Sequence, residues 1–219
     1  MNIERKDTGV HTELENDVIF LYCEEVVWVS GYGGAGKSTF AKFLQQEYGY
    51  TRCDLGPWVR KLYSEEARLK NGKILPFFDW IYNRVSTIGD DGFSLWVLKS
   101  YVEANPEVLK AKKVVIPSAR STESVNFLKK SFPNATQVLV AITCDQETRA
   151  DRIRKRMLKA GELSNYSVED LRKRDSLEDK TGIREVFEIA DVVIDNNGNL
   201  EDFLQAINSL FSKKSLIAK

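Results

Sequence analysis

A chain of 219 residues and 25.0 kDa with 42% apolar residues holds enough material for one sizeable core and needs no second one. Lysine plus arginine and aspartate plus glutamate number 32 each, so there is no global field to recruit nucleic acid or an anionic membrane. A single histidine, His11, and three scattered cysteines, Cys23, Cys53 and Cys144, argue against histidine-based acid–base chemistry and a Cys/His metal site, and fit reduced core thiols.

Residues 1–24 read as a polar N-terminal extension without an apolar signal core, closed by a strand-like run, DVIFLY (17–22). The longest apolar runs, such as VLVAIT (138–143), are strand-length and far short of the roughly 20 residues of a membrane span, so a cytoplasmic protein without a membrane partner is expected. From residue 25 strands and helices alternate. EVVWVS (25–30) precedes the helical STFAKFLQQEY, and YTRCDL (50–55) precedes a long aromatic insertion at 56–104. KVVIPS (113–118) is followed by ESVNFLKKSF, TQVLVAITC (136–144) by ETRADRIRKRMLKA, and DVVID (191–195) by LEDFLQAINSLF. The pattern predicts an α/β fold over 25–212: a three-layer sandwich with a parallel sheet of about five strands and helices on both faces, followed by a short tail at 213–219. The insertion 56–104 would form a helical acceptor site. Residues 157–175, with the polar turn GELSNYS (161–167), would form a short lid.

The most specific signal is GYGGAGKS, Gly31 to Ser38, which satisfies G-x-x-x-x-G-K-[ST] between a β-branched strand and an amphipathic helix. Glycines let the backbone wrap its N–H groups round phosphate oxygens, and the helix N-terminus favours negative charge. Gly31, Gly33, Gly34, Ala35, Gly36, Lys37, Ser38 and Thr39 are therefore candidates to hold ATP, with Lys37 on the β- and γ-phosphates and Ser38 as a ligand of Mg²⁺.

Arg149, Arg152, Arg154 and Arg156 crowd one helix with Lys155, and Arg172 and Arg174 follow the flap. Arg152 and Arg156 are four apart and share a face, while Glu147 and Asp151 offer the plainer reading of a solvated, salt-bridged helix. Arg60 and Arg120, each just beyond a strand end, would grip a second anionic group. Eight large aromatics of the insertion, those from Trp58 to Trp96, read singly as packing and collectively as walls of a base-binding cleft.

With these residues in view the chain resembles the nucleoside-monophosphate-kinase-like branch of P-loop kinases, which includes adenylate and dephospho-coenzyme A kinases, and most closely its archaeal members. The resemblance covers about residues 25–210 and rests on DRIRKR (151–156), LGPWVR (55–60), VVIPSARSTES (114–124) and RDSLEDKTGI with ADVVIDNNGNLEDF. It implies that Arg152 lies against the donor adenine, that Arg156 contacts phosphates, and that Arg60 and Arg120 grip the acceptor phosphate. Lys37, Arg120 and Arg156 would then be the catalytic set. The family usually has aspartate at two positions taken here by proline. At Pro117 the acid helps to hold the water shell of Mg²⁺, and at Pro57 it lies near the transferred phosphate. Asp54 would be the nearest replacement in sequence, or Ser118 and water would suffice.

The expected function is an ATP- and Mg²⁺-dependent transfer to a nucleotide-like acceptor, most simply a nucleoside or deoxynucleoside monophosphate, by a monomer or homodimer. Two alternatives stay open. One is a phage-type kinase of hydroxymethylated bases in DNA, disfavoured by the even charge balance. The other is a nucleotide-binding module with little transfer.

Overall fold

The computed structural model describes residues 14–15, 18–19, 21–161 and 165–212. His11, the tail at 213–219 and part of the expected flap lie outside these residues.

Leu14–Glu15 (β1) and Val18–Ile19 (β2) pair antiparallel with each other and not with the main sheet. The described residues of DVIFLY therefore add no strand to the main sheet, although Leu21 within the run is buried and its N–H donates to the Ser131 carbonyl at 2.7 Å. The main sheet contains Glu25–Ser30 (β3), Thr51–Arg52 (β4), Lys113–Ala119 (β5), Thr136–Thr143 (β6) and Val192–Asp195 (β7), all parallel, in the order β4-β5-β3-β6-β7. Its neighbours in sequence are the helices Lys37–Tyr48 (α1), Leu55–Leu69 (α2), Phe77–Ala104 (α3), Thr122–Lys129 (α4), Gln146–Lys159 (α5), Val168–Asp179 (α6), Ile183–Glu188 (α7) and Leu200–Ser212 (α8).

Both faces of the sheet are covered, and the strand period of two shows why the strands read as near-continuous apolar runs. In β3, Val26 and Trp28 join Val114, Ile116 and Leu139 under α3 and α4, where Leu98, Val102, Val125 and Leu128 close over them. Val27 and Val29 point the other way, with Val115, Val140 and Ile142, against Phe40 and Leu44 of α1 and Phe203 and Ile207 of α8. Trp28, Phe40 and Leu44 are fully buried, and each contributes about 1.5–3 kcal/mol by leaving water.

The strand YTRCDL shrinks to two residues because α2 begins at Leu55, and Asp54 is held by Arg52 at 2.7 Å. Pro117 lies within β5, whose register against β3 slips there: Trp28 faces Ile116, but Ser30 faces Ala119. One extra residue thus stands on β5, and β4 covers only Val114 and Val115. A bulge at the active end of the sheet, beyond the reach of the neighbouring strand, is where a strand tolerates proline's missing N–H.

The insertion forms α2 and α3. Gly89, at φ 75° and ψ 165°, breaks α3 in the middle, a conformation that side chains rarely adopt. Beyond it Leu95, Val97, Leu98, Tyr101 and Val102 are buried in the core, whereas before it only Trp80 is. The first half packs with α2 and with Trp96 from beyond the break: Arg84 stacks on Trp80 and Trp96 at 4.8 and 4.7 Å and pairs with Glu66. Glu66 also accepts from Lys70 at 2.6 Å and from the Trp80 indole at 3.0 Å, and its carboxyl is lowered to about 2, with the Lys70 hydrogen bond as the largest cause.

Candidate active site

The active end of the sheet opens into a cleft of about 1130 Å³. Its floor is the glycine loop. Gly31, Gly34 and Gly36 have φ of 152°, 85° and 115°. A Cβ on Gly36 would stand 2.4 Å from Asn196 Nδ2, and one on Gly31 would stand 2.9 Å from the Ile142 carbonyl, so both positions need glycine for space as well as for φ. Asn196, itself buried, donates to the Ala35 carbonyl at 2.7 Å and fixes the loop from the β7 side. Lys37 Nζ donates to the carbonyls of Gly31 and, at 3.0 Å, Tyr32. Burial first, then the charges of Arg120, Arg174 and Arg149, lower Lys37 to about 7, with Glu178 pulling the other way. Ser38 and Thr39 open α1 and line the cleft.

The loop is clamped from above by α5 and α6. A capping box starts α6: Ser167 Oγ accepts from the Asp170 N–H at 3.1 Å, and Asp170 accepts from the Ser167 N–H at 2.9 Å. The buried residues of α6 are Leu171, Asp175 and Glu178, spaced i, i+4 and i+7, so two of its three inward positions are acids. Asp175 takes Arg149 in a bidentate pair at 2.9 and 2.5 Å, and Arg149 also donates to the carbonyls of Cys144 at 3.0 Å and Gly33 at 3.3 Å. Arg149 is therefore a buried brace of the glycine loop and not part of a solvated face. Tyr32 is tied by its hydroxyl to Asp179, which also holds Arg184 at 2.6 Å.

The other cations divide by environment. Arg154 and Lys155 pair with Asp151, at 3.9 and 2.7 Å, on the outside of α5, where such pairs are worth little. Arg172 is exposed as well, near Glu169 and Gln146. Arg152 and Arg156 line the cleft, and Arg152 donates to Asn196 Oδ1 at 3.4 Å and to the Gly198 carbonyl at 3.2 Å. Arg60, Arg120 and Arg174 line it too, and Arg60 stacks on Phe77 at 4.3 Å. Partial burial, then Arg174 and Arg120, lower the Arg60 pKa, with Arg156 adding to the effect. Of the residues singled out from the sequence as catalytic, nucleotide-binding or acceptor-binding, all but Gly31 and Ala35 line this cleft, and those two lie within the glycine loop that floors it.

Two residues outside that set complete it. Arg174 lies against the glycine loop so closely that a Cβ on Gly33 would stand 2.7 Å from its Cζ. Glu178, fully buried, pairs with Arg174 Nε at 3.0 Å and Arg120 Nη1 at 3.0 Å. Arg120 is therefore anchored by an acid and does not stand free. Burial would raise the Glu178 carboxyl, but Arg120, Arg174 and Lys37 outweigh it and hold the group below the usual range. The sequence carries a signal for both residues: Arg174 and Glu178 are four apart on the stripe that begins at Leu171.

Strand order separates the cleft into two sides. Arg152 and Asn196 follow β6 and β7, whereas Arg60 and Arg120 follow β4 and β5 across the central β3. On the second side the walls include Phe77, Phe78, Tyr82 and Phe93, while Trp58, Trp80 and Trp96 turn into packing. The four left-handed or tightly approached glycines shape a cradle that fits phosphate oxygens. For Mg²⁺ the cleft offers the hydroxyls of Ser38 and Ser118; Ser118 Oγ is buried without a hydrogen-bond partner among the described residues. Among those residues no group of three or more His, Cys, Asp or Glu is placed to hold a metal ion. Asp54, bound to Arg52, does not border the cleft. No described helix is long and apolar enough to cross a membrane.

No protein-family model matches the chain. Among solved structures, shikimate kinase from Acinetobacter baumannii superposes with a TM-score of 0.50 at 18% identity, covering 88% of this chain and 96% of that one, and the fold is that of the P-loop kinases. The UPF0200/UPF0201 protein of Archaeoglobus fulgidus is 31% identical over 192 residues, which is 86% of this chain but 55% of that one, so the chain spans about half that relative's length. The UPF0200 protein of Staphylothermus marinus is 31% identical over 190 residues, 86% of this chain and 92% of its own. By that likeness along nearly the whole relative, the chain belongs to the UPF0200 family.

Proposed function

We propose that this protein is an ATP- and Mg²⁺-dependent phosphotransferase that moves the γ-phosphate to a nucleotide-like acceptor, most simply a nucleoside or deoxynucleoside monophosphate. The observation that carries this reading is the split of the cations across the central strand. One set, Arg152 and Arg156, comes from α5; the other, Arg60 and Arg120, follows β4 and β5, with Lys37 between them. A second anion site beside a phosphate loop is what an acceptor that already carries phosphate requires. The aromatic walls at Phe77, Phe78, Tyr82 and Phe93 favour a planar base over a bare sugar or sugar acid.

In this reading Lys37, Arg156 and Arg174 neutralise charge on the donor phosphates, while Arg152 packs against the donor base. Ser38 and Ser118 would hold Mg²⁺ and its water, and the bound metal would supply charge neutralisation to the transferring phosphate. Phosphoryl transfer draws most of its rate from such positioning and electrostatics.

Arg60→Ala and Arg120→Ala are expected to weaken binding of a nucleoside monophosphate by about 10- to 100-fold, the loss of a charge-assisted contact, while ATP affinity stays within about threefold in Arg60→Ala and falls less than monophosphate affinity in Arg120→Ala, whose guanidinium shares Glu178 with Arg174. Calorimetric titration of each ligand reads the split. Equal losses for both ligands would refute the two-site assignment.

A further inference from the structure

Glu178 is a fully buried acid set between two of the cleft's arginines, and nothing in the reading above uses it. A fully buried carboxylate is costly unless cations surround it, and an apolar residue of similar size is often as stable, so its place needs a reason. Its two partners come from different elements. Arg120 stands at the end of β5 on the acceptor side; Arg174 stands on α6 and lies over Gly33 of the phosphate loop. Arg174 Nε donates a hydrogen bond to Glu178 Oε1, whereas Arg120 Nη1 stands 3.0 Å from Oε2 as an ion pair without hydrogen-bond alignment, and each guanidinium still borders the cleft. Thr181 ties the same two backbones, donating to the Glu178 carbonyl at 2.6 Å and to the Arg120 carbonyl at 3.5 Å.

We propose that Glu178 is a positioning residue: one buried carboxylate that couples the acceptor-side Arg120 to the donor-side Arg174 and fixes the gap across which the phosphoryl group moves. This rests on the two-site reading above. It also gives this acid a different task from the one expected at Pro117. Glu178 orients cations and not a metal's water shell. Its charge further holds the cation cluster of Lys37, Arg120 and Arg174 together.

The test is Glu178→Gln, with two readouts. In steady-state kinetics kcat should fall about 100-fold while KM for ATP moves less than about threefold, since the interaction lost is one of alignment. In calorimetry with metal-free inorganic tripolyphosphate, the variant should bind about 5- to 10-fold more tightly than wild type, because the cluster has lost its internal anion. Glu178→Asp, which keeps the charge but shortens the reach, should return tripolyphosphate affinity to wild type and recover kcat only in part. A folded Glu178→Gln with unchanged kcat, or with tripolyphosphate affinity equal to or below wild type, would overturn the proposal. Should Glu178→Gln fail to fold, the double variant Glu178→Gln/Arg174→Gln is expected to fold, since it removes one of the two cations left without the acid. Failure of the double variant too would overturn the proposal. If wild type transfers phosphate to no acceptor, the kinase reading fails, while the tripolyphosphate measurement still decides whether Glu178 governs the two arginines.

Discussion

Lys37→Ala is expected to lower turnover by at least about 100- to 1000-fold, the scale of removing one preorganised charge from a transferring group, and to leave the fold intact. Lys37 is held at the centre of the loop by the carbonyls of Gly31 and Tyr32, and its burial, followed by the charges of Arg120, Arg174 and Arg149, depresses it to about 7 from 10.5. The sign of its effect on stability follows. Between about pH 7 and 10.5 the unfolded chain binds a proton at Lys37 that the folded chain does not, so this lysine makes stability rise with pH across that window. Lys37→Ala should flatten the rise, and thermal melts across the window would measure it. A ligand phosphate favours the charged form, so tripolyphosphate binding at about pH 9 should draw up to about one proton into wild type and less into Lys37→Ala. Calorimetry in buffers of different ionisation enthalpy counts that proton. A folded Lys37→Ala with wild-type turnover would remove Lys37 from the chemistry.

Asp175→Ala is expected to cost about 3–5 kcal/mol of stability, because it leaves the Arg149 guanidinium buried and uncompensated. The side chains are 4% and 9% exposed, and the pair is bidentate. The loss should reach the phosphate loop, since the same guanidinium donates to Gly33 and lies 5.0 Å over the Tyr32 ring. Chemical denaturation measures the first effect, and a drop in ATP affinity larger than that of Arg154→Ala measures the second. The double variant Arg149→Met/Asp175→Leu should recover much of the stability, as apolar replacements of buried pairs commonly do, without recovering the loop's brace. A destabilisation below about 1 kcal/mol, the range of surface pairs, would mean that Arg149 finds water in the variant.

The sheet was legible because its three central strands are β-branched runs buried on both faces and each crossover helix carries its own apolar stripe. Val26 to Val29 and Val138 to Ile142 leave little alternative. DVIFLY has the same local pattern and joins a separate ladder, because what it pairs with is decided by tertiary contact and not by its own period. The phosphate loop was legible because its glycines, lysine and serine have fixed spacing. The arginines were legible only as a set. Arg149, Arg152, Arg154 and Arg156 have similar sequence surroundings, yet one braces the loop, two border the cleft and one faces water. A helical period places residues on faces, but it does not say which face meets an acid from another helix. Asp175 and Glu178 look like surface charges of α6 until Arg149, Arg120 and Arg174 arrive from elsewhere in the chain.

The central claim is transfer to an acceptor that carries its own phosphate. Its most direct test is to follow the γ-phosphate of labelled ATP in the presence of Mg²⁺ against a panel of nucleoside and deoxynucleoside monophosphates, with dephospho-coenzyme A and hydroxymethylated DNA as further arms. The expected result is label in a nucleoside diphosphate with at least one monophosphate, lost in Lys37→Ala and sharply reduced in Arg60→Ala and Arg120→Ala. ATP binding with no acceptor raising ATP consumption above the acceptor-free rate would contradict the claim and leave a nucleotide-binding module.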